Sequence, residues 1–164
     1  MKDSARLPGL DEAALVDLAR ALAPALAAGG VVYLRGDLGA GKTTFARALL
    51  QALGVGERVK SPTYSLIESY RAGGIDIHHL DLYRIADPGE LEWLGLDALW
   101  RPGALVLVEW PQRGGDRLPP ADLELSLAHT GIRRDLLAES GGSVLGRDLV
   151  ARLSEGVPEP AVKR

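Results

Sequence analysis

Apolar residues recur at helical spacing early in the chain and then give way to short β-rich runs, so helix and strand alternate from the start. Leu15, Leu18, Ala19, Leu22, Ala25 and Leu26 fall on one face of a 3.6-residue repeat. Asp11-Glu12 opens this helix and Gly29-Gly30 stops it, with Pro24 inside as a predicted early end or kink. Val31-Val32-Tyr33-Leu34 is a strand, and residues 43–53 form a second helix ended by Gly54. Residues 64–70 and 75–82 alternate around an Ala72-Gly73-Gly74 turn, the pattern of an antiparallel hairpin. Asp87 as N-cap and Pro88 in the first turn predict a helix to about Trp100. Ala104 to Val108 is continuously apolar, the signature of a strand covered on both faces. Leu123 to Leu127 alternates, residues 133–137 pair with it, and a short helix covers 145–153.

This order predicts an α/β three-layer P-loop fold, with a mostly parallel sheet, antiparallel additions and helices on both faces. The 164 residues suit one domain, expected over 1–154 with a flexible tail over 155–164. An apolar fraction of 46% supports a real core, which argues against disorder. A formal charge of −3 argues against a free-standing nucleic-acid binder, which carries a basic excess. There are no cysteines, so disulfides, Cys-based zinc sites and thiol nucleophiles are excluded. No signal peptide or membrane span is visible, and the expected location is the cytoplasm.

The chemistry concentrates in Gly36-Asp37-Leu38-Gly39-Ala40-Gly41-Lys42-Thr43, a phosphate loop set between a strand and a helix. Backbone N–H groups of Asp37, Leu38, Gly39, Ala40 and Gly41 turn toward phosphate oxygens, and the helix N-terminus adds positive potential. Lys42 places a full charge on the β and γ phosphates, and the Thr43 hydroxyl reaches Mg2+. Thr44 is either a second phosphate contact or a first-turn residue. A P-loop enzyme also needs a carboxylate at the end of a neighbouring buried strand, and Glu109 follows Leu105-Val106-Leu107-Val108 there. Trp110 either packs at the sheet edge or walls the nucleotide pocket. Asp81 shares a strand face with His79, opposite Leu80 and Leu82. It either serves Mg2+ and the attacking water or lies on a solvated face, and His79 or Arg84 caps local structure. Thr63, by position alone, is an ordinary loop threonine.

Taken in register, these motifs resemble the bacterial TsaE (YjeE) ATPases of tRNA threonylcarbamoyladenosine synthesis. The matching segments are residues 36–44, Ser61-Pro62-Thr63-Tyr64, His79-Leu80-Asp81-Leu82-Tyr83-Arg84, Leu91-Glu92-Trp93-Leu94-Gly95-Leu96 and Val108-Glu109-Trp110-Pro111. They cover about residues 10–138, and the stretch after Ser140 carries no matching motif. The resemblance implies a Mg-dependent ATPase, slow alone, that supports a TsaD-like catalytic subunit and a TsaB-like subunit and meets tRNA only through them. It implies that Lys42, Thr43, Asp81 and Glu109 serve ATP, ADP and Mg2+, that Thr63 belongs to a switch-like segment, and that Trp110 lies near the nucleotide. A partner is expected to complete the site, since no arginine is obviously an internal finger, Arg84 and Arg113 being the candidates. The rival readings are a small-molecule kinase, with residues 113–117 as lid and Arg133-Arg134 in support, and a nucleotide-gated binding module.

Overall fold

The structure is a computed structural model that describes residues 3–56, 66–96 and 99–155. Seven strands form one sheet: β1 (Ser4–Leu10), β2 (Gly30–Gly36), β3 (Ile67–Ala72), β4 (Ile75–Asp81), β5 (Leu105–Glu109), β6 (Leu123–Thr130) and β7 (Arg133–Ser140). Their spatial order is β1-β7-β6-β2-β5-β4-β3. The centre is parallel, with β2 between β5 and β6 and with β4 beside β5. The β3–β4 hairpin and the β6–β7 and β1–β7 pairs are antiparallel. The parallel core with antiparallel additions is therefore the arrangement that the apolar patterning predicts.

Register fixes what meets at the edge of the sheet. Leu34 of β2 and Asp81 of β4 both lie opposite Glu109 at the carboxyl end of β5. Loops that leave the carboxyl ends of parallel strands are where α/β sheets build their sites. The phosphate loop leaves β2 there and runs into α2 (Lys42–Ala52).

The three layers differ in make-up. On one face α1 (Glu12–Leu26), α2 and α3 (Val144–Glu155) enclose a core with Phe45, Leu49, Leu107 and Leu125. The other face buries Leu80, Leu82, Val106 and Val108 under Ile85, Leu91, Leu96 and Leu118. The segment predicted as a helix to about Trp100 is a 3-10 helix, Pro88–Leu94. Asp87 caps it with a capping box as predicted, but Gly95 turns left-handed at φ 65° and ends it. With the 3-10 turns Pro111–Arg113 and Gly115–Arg117, it makes a thin third layer. Among the described residues the α-helices thus all lie on one face, and the other face is covered by 3-10 segments.

Three further differences have local causes. The second helix starts at Lys42, one residue before the predicted boundary. Pro24 does not end α1, which continues to Leu26 because Leu22, Ala23 and Leu26 are buried in the core. Strand β1 has no sequence signal, since Arg6, Pro8 and Gly9 interrupt any alternation; it exists by pairing with β7. The Ser61-Pro62-Thr63-Tyr64 segment, and Thr63 with it, lies outside the described residues, as does the tail from residue 156. Among the described residues no helix is long and apolar enough to cross a membrane.

Candidate active site

The loop after β2 is shaped by glycines that no other residue replaces. Gly41 sits at φ 115°, and a Cβ there would lie 2.8 Å from Leu15 Cδ2. Gly36 sits at φ 146°, with a Cβ position 2.6 Å from the Leu127 carbonyl oxygen. Both angles are ones that L side chains rarely adopt, and the second contact is with rigid backbone. Between them Ala40 is buried while Leu38 is exposed, so the loop is anchored at its base and open at its rim.

Lys42, at the start of α2, is 5% exposed. Its Nζ donates to the carbonyl oxygens of Gly36 at 2.6 Å and Asp37 at 2.8 Å. The same ammonium lies 4.6 Å from the Trp110 ring centroid, a cation–π contact. Burial pulls the Lys42 pKa below its ordinary value, and the nearby Glu109, Asp81 and Asp37 carboxylates oppose that shift. The ammonium curls over its own loop, where it satisfies two carbonyls.

One residue on, the Thr43 hydroxyl lies 3.0 and 3.1 Å from the two carboxylate oxygens of Glu109. Glu109 is 2% exposed at the end of an entirely buried strand, and its Oε2 is also 2.7 Å from His79 Nε2. Asp81, one strand further, is half-buried and accepts the Tyr83 N–H through Oδ1 at 3.1 Å. Burial raises the Asp81 pKa above the ordinary carboxylate value, with the Glu109 charge adding to the rise; the Tyr83 N–H, His79 and Lys42 act the other way. Trp110 takes a left-handed backbone, φ 59°, the one non-glycine among the described residues to do so. That turn brings its ring to 4.9 Å from Tyr83, and Arg113 stacks over both rings.

These groups share a cleft of about 460 Å³, lined by the loop, Asp81, Tyr83, Arg84, Glu109 and Trp110, together with Glu12 and Arg134. The structure thus brings together Leu38, Gly39, Gly41, Lys42, Thr43, Thr44, Asp81, Glu109 and Trp110. Ala40 supports the loop from beneath and Asp37 contributes its carbonyl. The donor set fits a hard cation: a hydroxyl and a carboxylate within bonding distance of one another, and a second carboxylate on the next strand. Loop carbonyls hold Lys42 where phosphate oxygens would replace them, so the cradle also fits an anion.

Sequence reasoning did not find three contributors. Glu12 and Arg134 reach the cleft from α1 and β7, far from the loop in sequence; Arg134 entered only as an aid to the kinase reading, and no local motif marks either for this cleft. Arg134 Nε is buried without a hydrogen-bond partner among the described residues. The third is His79, which faces Glu109 rather than capping local structure; the strand alternation that put it beside Asp81 was the signal.

Comparison with known proteins agrees with this architecture. A family model described as threonylcarbamoyl adenosine biosynthesis protein TsaE matches residues 10–136, which include every cleft residue named above. The tRNA threonylcarbamoyladenosine biosynthesis protein TsaE of Haemophilus influenzae is 42% identical over 126 residues, covering 76% of this chain and 78% of that protein. Its namesake in Bacillus subtilis is 40% identical over 103 residues, 63% of this chain and 64% of that protein. The solved structure of Bacillus subtilis YdiB superposes with a TM-score of 0.73 at 27% identity, covering 93% of this chain and 97% of that one. A family match over most of the sequence, with relatives near 40% identity, means that the chain belongs to the TsaE family of tRNA threonylcarbamoyladenosine biosynthesis.

Proposed function

We propose that this chain binds ATP with Mg2+ and hydrolyses it to ADP and phosphate, in support of tRNA threonylcarbamoyladenosine formation by a partner complex. The observation that carries the reading is the Thr43 hydroxyl held within 3.0–3.1 Å of the buried Glu109 carboxylate, beside the buried Lys42. A loop that only turned a strand into a helix would have no reason to bury a lysine and a glutamate at its mouth, given the cost of desolvating charge.

In this reading Lys42 leaves the Gly36 and Asp37 carbonyls for the β and γ phosphates. Thr43 and Glu109 hold Mg2+ directly or through water, and the ion neutralises charge on the phosphate oxygens. Asp81 accepts a hydrogen bond from the attacking water. Water oxygen bonds to Pγ, the bond from Pγ to the β–γ bridging oxygen breaks, ADP leaves with that electron pair, and the water's protons leave with the released phosphate.

The partners we assign are a TsaD-like catalytic subunit and a TsaB-like subunit, with tRNA reached through them. Arg113 stacks on Tyr83 and Trp110 and donates to the Ile85 carbonyl at 3.4 Å, so it packs against the two rings that line the cleft rather than standing free as the lid of a metabolite kinase. A partner that supplies the remaining positive charge fits this reading, and the site is tested accordingly. Calorimetry with ATP and Mg2+ should give saturable binding that Lys42→Ala abolishes, and Glu109→Ala should bind nucleotide but lose phosphate release. Uptake unaffected by Lys42→Ala would overturn the proposal.

A further inference from the structure

His79 is 1% exposed on the helix-covered face of β4, among Ile77, Leu107 and the other core residues of that side. It is thus a polar ring placed in an apolar layer. Its Nε2 lies 2.7 Å from Glu109 Oε2, and its Nδ1 has no hydrogen-bond partner among the described residues. A carboxylate only accepts, so Nε2 carries the hydrogen and donates it. Glu109 is buried as well, and among the described residues it accepts from the Thr43 hydroxyl and this imidazole. They form one chain, from His79 to Glu109 and from Thr43 to Glu109. Thr43 keeps an oxygen lone pair free for a cation while its hydrogen remains on the carboxylate.

A lone carboxylate at the end of a glutamate side chain has two free torsions beyond its Cβ. Thr43 alone does not fix them, because it sits almost equally far from both oxygens, 3.0 and 3.1 Å. The bond from His79 reaches one oxygen only, so it selects the rotation of the group. Partners behind metal ligands commonly act this way, orienting the ligand and raising its affinity.

Resting on the reading of the site given above, we propose that His79 is a positioning residue that locks the Glu109 carboxylate against Thr43 and so sets the strength of the Mg2+-dependent part of nucleotide binding.

The test separates that part from the rest. ADP affinity is measured by calorimetry with and without Mg2+ for the wild type, His79→Leu and His79→Gln. His79→Leu keeps an apolar filling but removes the donor; His79→Gln keeps an N–H that can reach Glu109. The expected result is that His79→Leu loses on the order of 10-fold in the gain that Mg2+ confers. Its metal-free ADP affinity should match the wild type, and His79→Gln should recover part of the loss. Equal weakening with and without Mg2+ would reveal a packing role and overturn the proposal, as would no change at all. If the leucine variant does not fold, nitrogen NMR of histidine-labelled wild-type protein decides. A His79 ring protonated on Nε2, whose signal shifts in Glu109→Gln, supports the proposal; a ring protonated on Nδ1 alone overturns it. Failure of the wild type itself to bind ADP with Mg2+ would instead overturn the nucleotide reading of the site.

Discussion

Asp81 carries a carboxylate where burial disfavours charge, and the pH dependence of stability follows from that. Its pKa is raised in the folded protein, so the folded state favours the protonated form more than the unfolded state does. The stability that this group contributes is present below the ordinary value of 3.8 and is lost as pH rises through the higher folded value. Asp81→Asn removes the charge yet keeps an acceptor for the Tyr83 N–H. The nucleotide-free variant should therefore melt above the wild type at pH 7, and the gap should narrow as pH falls toward 4, read by thermal unfolding at several pH values. Lys42 and Glu109 were legible in the sequence because each depends on local pattern alone, a glycine loop before a helix and an acid after an apolar run. His79 facing Glu109 was not, because 30 residues separate them and only the register of β4 on β5 brings them together.

Among the elements, α1 carries an avoidable cost. Pro24 is exposed within it, lacks the N–H that would bond back one turn, and crowds the carbonyl of Arg20. The helix persists because Leu22, Ala23 and Leu26 are buried. Pro24→Ala should raise stability by about 1–3 kcal/mol, seen as a higher urea midpoint at unchanged slope. The predictions that failed at this scale failed for related reasons. Local propensity suggested a break at Pro24, but tertiary burial prevailed. The span after Asp87 has apolar residues at helical spacing, yet Gly95 closes it after a 3-10 segment. Strand β1 was invisible because its hydrogen bonds go to β7, more than a hundred residues away in sequence.

For the molecule as a whole, the cleft joins parts of α1, α2, β4, β5 and β7 around one ligand volume. A ligand bound only by the assembled state stabilises it by mass action, about 2.7 kcal/mol at one hundred times its Kd. For a chain of this size the melting temperature should rise by roughly 5–10 °C with saturating ADP and Mg2+. Lys42→Ala should show no rise under the same conditions. The Lys42–Trp110 contact has an optical consequence of its own. A cation poised over an indole alters its emission, and drawing that cation away toward phosphate must change the light the ring gives out. With Trp93 and Trp100 replaced by phenylalanine, the protein would carry a single lamp beside its loop, so filling and emptying could be timed in milliseconds without a dye.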